Sequence, residues 1–163
     1  ISKYPKDKAE LAYKYLEDRD IHFLLYQGKY KLFNREPEEE GILRQAKENG
    51  TGFIAFSPLA QGLLTDRYLN GIPENSRIAK GGFLKKEALT EEVLSKIQAL
   101  NALAIRRGQT LAEMALAWIL KDDLVTSVII GASSVGQLAD NLKAMENTAF
   151  SAEELESIYQ IVK

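Results

Sequence analysis

The chain has 163 residues, of which 45% are hydrophobic and 27% charged, which suits one globular domain and excludes a disordered segment. Its 21 basic and 23 acidic residues leave no positive excess for a nucleic-acid backbone. The absence of cysteine excludes disulfides and thiolate metal sites, and without a signal pattern or a bilayer-spanning stretch we expect a cytoplasmic protein with no membrane partner.

Apolar periodicity, capping residues and turn residues predict the elements in chain order. The predicted elements are helix 5–18, strand 21–26, helix 36–47, strand 53–56, an irregular segment 57–89, a helix from Thr90 to Gly108, a helix after Thr110, strand 125–130, and helices after Ser134 and Ser151. Capping-box spacing marks three helix starts, at Thr110 with Glu113, Ser134 with Gln137, and Ser151 with Glu154.

The predicted strands are nearly continuously apolar and alternate with helices. This order is typical of a parallel sheet with helices packed outside it, in which the strands are buried on both faces. With three strands, such a sheet has two open edges and a partly covered core. We therefore expect an α/β chain that is part of a barrel or of a doubly wound sheet and that begins within the fold.

Ligand loops of parallel folds follow the carboxyl ends of the strands. After the third strand, Gly131 and Ser133 precede a helix whose amino end favours an anion, although Ser134 and Gln137 can also simply cap that helix. After the second strand comes SPLAQGLLTDR, residues 57–67, which we call the strap and expect to be flexible. Arg67 and Arg77 near the strap, together with the helix end at Ser133, suggest an elongated ligand with phosphates at two places. No GxGxxG motif follows a strand, which argues against a Rossmann site.

Two long segments, FIAFSPLAQGLLTDRYLNGIPENSR at 53–77 and SVIIGASSVGQLADNLKA at 127–144, resemble the aldo-keto reductase superfamily. The likeness is to its bacterial glyceraldehyde 3-phosphate and methylglyoxal reductases and to potassium-channel beta subunits. It implies the C-terminal half of a TIM (β/α)8 barrel, so that residues 1–163 form one partial domain without the N-terminal half. It also implies NADPH as the cofactor.

The resemblance also implies a role for each matched residue. Ser2 and Gln27 correspond to residues that bind the nicotinamide carboxamide, with Lys3 where the family has Asn, and Phe56 corresponds to the aromatic that stacks on the nicotinamide. The positions implied for the pyrophosphate are Ser57, Leu59, Gly62, Leu63, Arg67 and Arg77. Those implied for the adenosine 2'-phosphate are Gly131, Ser133 and the neutral Gln137, with Asp140 and Asn141 at the adenine.

No catalytic residue can be assigned within the chain. The family transfers a hydride from the nicotinamide to a small aldehyde or ketone, with a Tyr acid, a Lys–Asp pair and a His, and none of the four is matched here. His22, the only histidine, begins a strand and is interpreted as structural. Tyr30 lies near the site, where it could contact the substrate or the nicotinamide, although packing of its loop is the preferred interpretation. We therefore expect an oxidoreductase in the complete barrel and an inactive chain in isolation.

Two alternatives remain open at this stage. One is a regulatory module that holds the cofactor as a sensor, as in channel beta subunits. The other is a half-barrel that self-associates through its open sheet edges and has no chemistry.

Overall fold

The computed structural model describes residues 1–74, 76, 78–81 and 84–163, and it shows helices alternating with strands as predicted. The elements in chain order are α1 (Lys6–Glu17), β1 (Leu25–Lys29), α2 (Glu36–Glu39), α3 (Ile42–Glu48), β2 (Gly52–Phe56), α4 (Glu91–Arg106), α5 (Leu111–Ile119), β3 (Ser127–Val128), α6 (Val135–Leu142) and α7 (Ala152–Val162). Short 3-10 turns are found in the segment between β2 and α4 and after α6.

The strands form a parallel sheet in the order β1-β2-β3 over the described residues. Tyr26 is paired with Phe53 and Lys29 with Phe56, so β1 and β2 end together. The strand predicted over 125–130 pairs only at Ser127–Val128, with extra backbone hydrogen bonds from the flanking residues. The predicted parallel sheet is confirmed, and it brings the carboxyl ends of the strands to one edge.

Local capping explains where several helices begin. The boxes at Thr110 and Ser151 are complete, because each cap side chain accepts the N3 amide and the N3 Glu returns to the cap amide. Thr90 caps α4 in the simpler way, by accepting from the amide of Val93. The helix predicted over 36–47 is divided into α2 and α3 at Gly41, whose φ of 78° breaks a right-handed helix.

The first strand differs from its prediction in both position and burial. It begins at Leu25 rather than at residue 21, because its ladder with β2 starts where Leu25 is paired with Gly52. Burial alternates along β1, with Tyr26 and Gly28 buried and Leu25 and Lys29 exposed. The expectation of a strand buried on both faces was therefore wrong, since one side of the sheet is covered by helices and the other is open.

The two faces of the sheet can be defined by their residues. The helix-side face consists of Tyr26, Gly28, Phe53 and Ala55, all buried. The open face consists of Leu25, Gln27, Lys29, Ile54 and Phe56, all exposed or half-buried.

An aromatic cluster fills the core beside the helix-side face. The ring of Phe53 stacks on Tyr26 with centroids 5.5 Å apart and meets the edge of Tyr30 at 6.5 Å. Tyr30 in turn packs 5.1 Å from Trp118 of α5, which is fully buried. Such contacts between large apolar rings supply much of the stability of a small core. In the described residues, no helix is both long and apolar enough to cross a bilayer.

Candidate functional site at the carboxyl edge of the sheet

Three segments converge at the carboxyl edge of the sheet. They are the loop after β1, the strap after β2, and residues 131–134 between β3 and α6. Since neighbouring strands lie about 4.8 Å apart, the three segments follow one another across roughly 10 Å of the sheet edge. The order in sequence and the order in space are the same.

Ser2 and Gln27 are brought side by side by an additional short pairing. The Lys3 amide donates to the carbonyl of Gln27 at 2.9 Å, and the Gln27 amide donates to the carbonyl of Ile1 at 2.9 Å. This forms a parallel bridge between Ser2 and Gln27 at the free edge of β1. The half-buried Gln27 side chain lies on the open face, where its amide can both donate and accept.

Phe56 ends β2 on the open face, and a lysine lies over its ring. The Nζ of Lys3 is 5.1 Å from the ring centroid, a cation–π geometry. Lys3 adopts a left-handed backbone conformation with φ 56°. The ring therefore offers an aromatic surface that a cation already uses, and sequence reasoning missed this contact because it joins the chain start to the end of β2.

The strap packs onto the core instead of projecting as a flexible loop. Ala60, Leu63 and Leu64 are buried, and Leu59 is half-buried against them. The amide of Gly62 donates to the carbonyl of Leu59 at 2.8 Å, which closes a tight turn. The expectation of a flexible strap was therefore wrong, because its leucines are part of the hydrophobic core.

The backbone of the strap is also unusual. Ser57, Ala60 and Gln61 have φ values of 55°, 48° and 60°, and Gly62 has 104°. Non-glycine residues adopt the left-handed region at a cost of roughly 1 kcal/mol each and do so mainly where the surroundings impose it. The conformation of the strap is thus imposed by its packing.

Arg67 lies at the end of the strap within a 3-10 turn capped by Thr65, whose hydroxyl accepts from the Arg67 amide at 3.3 Å. Its side chain is exposed, and among the described residues no carboxylate lies within ion-pair distance of it. Arg77, the second predicted cation, lies outside the described residues. Arg67 is thus available for a charge-assisted contact with an anion.

Residues 131–134 and the start of α6 show a variant of the predicted cap. The Ser134 hydroxyl accepts from the Gln137 amide at 3.1 Å, as predicted. The Gln137 side chain, however, turns to Ser133 and accepts from its amide at 2.7 Å and from its hydroxyl at 3.0 Å. The expected capping box is therefore only half formed. Ser134 caps the helix, whereas the Gln137 side chain fixes the preceding loop through its hydrogen bonds with Ser133. Beside it, Gly131 has open space where a side chain would lie, as far as the described residues show.

Asn141 is buried, with 6% of its surface exposed, and its Nδ2 has no hydrogen-bond partner among the described residues. A buried amide donor without a partner costs about 1–3 kcal/mol, so a ligand that offers an acceptor there would be stabilised. Asp140 next to it is exposed and paired with Lys143 at 2.8 Å.

Tyr30 lies in the loop after β1, yet its hydroxyl is held inside the protein. Lys121 donates to it at 3.0 Å and is also paired with Glu38 at 3.2 Å. Burial, and next the negative charge of Glu38, raise the pKa of Tyr30 well above its usual range. The Tyr30 ring is fully buried against Phe53 and Trp118, which agrees with a packing role for this residue.

His22 is exposed, 3.7 Å from Asp20, in the segment that leads into β1. It therefore lies before the strand and away from the carboxyl edge. In the described part of the chain, no cluster of three or more His, Asp or Glu side chains has a metal-binding arrangement.

Known proteins share this arrangement of strands and loops. The family model described as the Aldo/keto reductase family matches residues 1–163. The chain belongs to the aldo/keto reductase family. It is 46% identical to L-glyceraldehyde 3-phosphate reductase of Escherichia coli K12 over 98% of its own length and 47% of that protein. It is 36% identical to a probable voltage-gated potassium channel subunit beta of Arabidopsis thaliana, over 76% of the chain and 38% of that protein.

The fold agrees with solved members of the aldo/keto reductase family. The holo form of aldo-keto reductase AKR11C1 from Bacillus halodurans superposes with a TM-score of 0.72 at 26% identity, covering 100% of this chain and 49% of that one. The chain thus spans about half the length of the relatives it matches. The predicted family and the predicted half of a barrel are confirmed.

Proposed function

We propose that these 163 residues form the NADPH-binding half of an aldo-keto reductase that reduces small aldehydes or ketones. The observation that carries the proposal is the order of the three segments along the carboxyl edge: an aromatic and an amide at β1–β2, a packed strap after β2, and an open helix end after β3. Such an order suits a long dinucleotide laid across the sheet. Family membership and a holo-form relative support it.

The nicotinamide end of the cofactor is assigned to the free edge of β1. Ser2 and Gln27, adjacent in the structure, offer hydroxyl and amide groups to the carboxamide. Phe56 offers its ring as a stacking surface once the Lys3 ammonium moves aside. When bound, NADPH would supply the hydride for reduction of the carbonyl.

The pyrophosphate is assigned to the strap. Ser57, Gly62 and their neighbours Leu59 and Leu63 hold the backbone in a fixed shape beside the sheet edge. Arg67 supplies the charge, and Arg77 is assigned the same role from the family resemblance alone. The uncharged part of the strap can approach a ligand closely, while its cation lies at the end.

The adenosine end is assigned to the start of α6. Gly131 and Ser133 border open space at the helix end, where backbone amides and the helix dipole favour the 2'-phosphate. Gln137 braces Ser133 in this loop. Asn141, with its unpaired amide, and Asp140 are assigned to the adenine, whose ring nitrogens accept and whose amino group donates.

The proton needed for reduction has no assigned donor in this chain, since Tyr30 is buried and committed to Lys121. We therefore propose that residues 1–163 act as one partial domain, active only within the complete barrel. Purified alone, the chain should bind NADPH yet oxidise none when methylglyoxal is added. Absorbance loss at the nicotinamide band that depends on methylglyoxal would contradict this part of the proposal.

Cofactor binding is tested by titrating NADPH into the protein and following nicotinamide fluorescence. Arg67→Ala should raise the Kd for NADPH about tenfold or more, because a charge-assisted hydrogen bond is worth roughly 1.5–3 kcal/mol. Arg44→Ala is the matched control, since Arg44 is also exposed but lies on α3. Equal Kd values for wild type and Arg67→Ala would rule out the assigned role of the strap.

A second candidate is self-association through the open face. Leu25 of β1 and Ile129, which follows β3, lie on the two outer strands and are 44% and 47% exposed, although parallel sheets are usually covered on both faces. Two copies facing each other would cover both. Sedimentation would decide it, since a clean monomer at all concentrations would remove this candidate.

A further inference from the structure

A cleft of about 410 Å³ lies between the loop after β1, the strap and helix α4. Three of its lining residues are lysines, Lys29, Lys31 and Lys96, and we call it the lysine cleft. Gln61 of the strap also lines it, and among the described residues that do so none is acidic. None of the roles proposed for the cofactor uses these lysines, so the cleft needs its own explanation.

The positive charges of the lysine cleft are only partly balanced within the protein. Among the described residues, no carboxylate lies within 4 Å of the ammonium of Lys29 or of Lys31. Lys96 is paired at 2.6 Å with Glu92, which is itself exposed on α4. A change that replaces one of the unbalanced positive charges by a negative charge is therefore favoured by the neighbouring cations.

Lys31 is fixed in this cleft by a tight backbone turn. Its amide donates to the carbonyl of Asn34 at 3.2 Å, and its own carbonyl accepts from the Asn34 amide at 2.9 Å. Lys31 is half-buried, whereas Lys29 is exposed, and Phe33 and Leu63 give the cleft an apolar wall. Partial burial beside apolar groups and a second cation favours the neutral amine over the ammonium.

The consequence is an amine that is partly unprotonated near neutral pH. Burial, and next the charge of Lys29, lower the pKa of Lys31 to about 8. At pH 7.5, a lysine of ordinary pKa, about 10.4, has roughly one amine in a thousand unprotonated, whereas a lysine with a pKa of about 8 has about a quarter. Only the unprotonated amine has the lone pair that attacks an electrophile. Lys31 therefore combines a nucleophilic amine with two neighbouring cations.

These surroundings favour an electrophile whose adduct is negatively charged. Acylation of an amine gives a neutral amide, and an aldehyde gives a neutral or cationic imine. Addition of carbon dioxide gives a carbamate anion and releases only a proton. The carbamate oxygens accept hydrogen bonds, and each neighbouring ammonium group has three donors. Carbon dioxide is thus the small electrophile that best matches a nucleophile among unbalanced cations.

We propose that Lys31 binds carbon dioxide covalently as a carbamate, which lies in the lysine cleft and is stabilised by the ammonium groups of Lys29 and Lys96. The lone pair of the Lys31 Nζ forms a bond to carbon, and one carbon–oxygen double bond becomes a single bond to a negatively charged oxygen. The amine proton passes to solvent. Nothing is oxidised or reduced, and the reaction reverses when carbon dioxide is removed. The site is independent of the proposed reductase function, since no group of the cofactor takes part.

The experiment equilibrates the protein with carbon dioxide labelled with carbon-13 at pH 7.5 and records carbon-13 NMR spectra. Wild type should show a carbamate resonance. Alkylation of the carbamate with a trialkyloxonium salt, followed by mass spectrometry of peptides, should place the adduct at Lys31. Free α-amino groups react in the same way, because their pKa values also lie near 8, and the peptide map separates the two sites.

Two variants test the nucleophile and the neighbouring cation. Lys31→Arg keeps the positive charge but has no free amine at this pH, so its carbamate at residue 31 should be lost. Lys14→Arg on the exposed side of α1 is the matched control and should keep the carbamate. Lys29→Met should lower the association constant for carbon dioxide at least about threefold, because a cation that favours both the free amine and the carbamate is removed.

Amide NMR spectra of each variant check that the fold is retained. No adduct at Lys31 in folded wild type would overturn the proposal. A lysine carbamate resonance that is as strong in Lys31→Arg as in wild type would assign the adduct to another amine and would overturn it as well. An unchanged association constant in Lys29→Met would overturn the stabilisation by the neighbouring cation.

A pH series at a fixed pressure of carbon dioxide adds an independent readout. The charged groups that face Lys31 are Lys29 from β1 and Lys96 with its partner Glu92 from α4. Formation of the carbamate from an ammonium group releases two protons, one from the ammonium and one from the attacking amine. The carbamate fraction at Lys31 should therefore rise as the pH increases from 7 to 9, through the pKa of about 8. A constant fraction over this range would contradict the proposal.

Discussion

The two faces of the sheet are built from the same strands and yet have opposite environments. On the helix-side face, Tyr26, Phe53 and Ala55 are buried against helices. On the open face, Gln27 and Phe56 are only half-buried, although they alternate with those residues along the same strands. Both of these side chains are proposed for the nicotinamide.

This difference indicates that residues for stability and residues for binding lie on opposite faces of the sheet, because successive side chains of a strand point to opposite sides. A side chain on the helix-side face is surrounded by core atoms, so its removal leaves a cavity. A side chain on the open face contacts few core atoms, so it can contribute to ligand binding and can be replaced with little loss of stability. Two residues of one type in one strand can therefore have unrelated roles, which the following substitutions test.

The largest effect is expected for Phe53→Ala. Phe53 is fully buried between Tyr26 and Tyr30, so its truncation should lower the free energy of unfolding by about 3–5 kcal/mol, measured by urea denaturation. The matched substitution Phe56→Ala in the same strand should cost less than about 1.5 kcal/mol and should weaken NADPH binding instead. Similar losses of stability in both variants would contradict the separation of the two faces.

A smaller loss of stability is expected for Gly28→Ala. A methyl group on Gly28 would overlap Cζ of Phe53 and lie 2.8 Å from its Cε2, and the buried ring cannot move away freely. Overpacking of this kind costs about 1–3 kcal/mol. Gly131→Ala is the control, expected within about 0.5 kcal/mol of wild type because its methyl would enter open space among the described residues. Thermal unfolding of the two variants at one pH measures the difference. A Gly28→Ala protein as stable as wild type would show that the core rearranges to accept the added methyl group.

The smallest effect is expected for Lys3→Asn on the open face. Removing the ammonium frees the ring of Phe56, and Asn tolerates the left-handed φ of 56° better than Lys does. An exposed cation–π contact is worth roughly 0.5–1 kcal/mol, so the Kd for NADPH should fall about two- to fivefold. Lys3→Arg keeps a cation on the ring and should leave the Kd near its wild-type value. A weaker NADPH complex in Lys3→Asn would show that Lys3 assists binding.

The elements that sequence reasoning predicted best are those set by neighbours in the chain. The helices after Thr110 and Ser151 begin where expected, because a capping box depends on residues three positions apart. The strands were predicted less well, since pairing decides their limits. Leu25 begins β1 because Gly52 lies opposite it, which no local pattern shows.

The candidate site likewise has features that local sequence predicts and features that only the fold brings together. The cap of α6 by the Ser134 hydroxyl was predicted from local sequence, whereas the turn of the Gln137 side chain to Ser133 was not. The family resemblance supplied the proposed cofactor contacts. The contact between Lys3 and Phe56 joins residues far apart in the chain, as does the meeting of Lys31 with Lys96 at one cleft. Alternating lysines around Tyr30 were a signal for that cleft, yet without the fold they look like an ordinary solvated loop.

The packed strap has a further consequence for affinity. Its left-handed residues and buried leucines are ordered when the protein folds, so their conformational entropy is already lost before a ligand arrives. A mobile loop would have to lose that entropy during binding, which weakens the complex. Residues 57–67 are instead preorganised, so a ligand that contacts them binds without the entropy cost of ordering the loop.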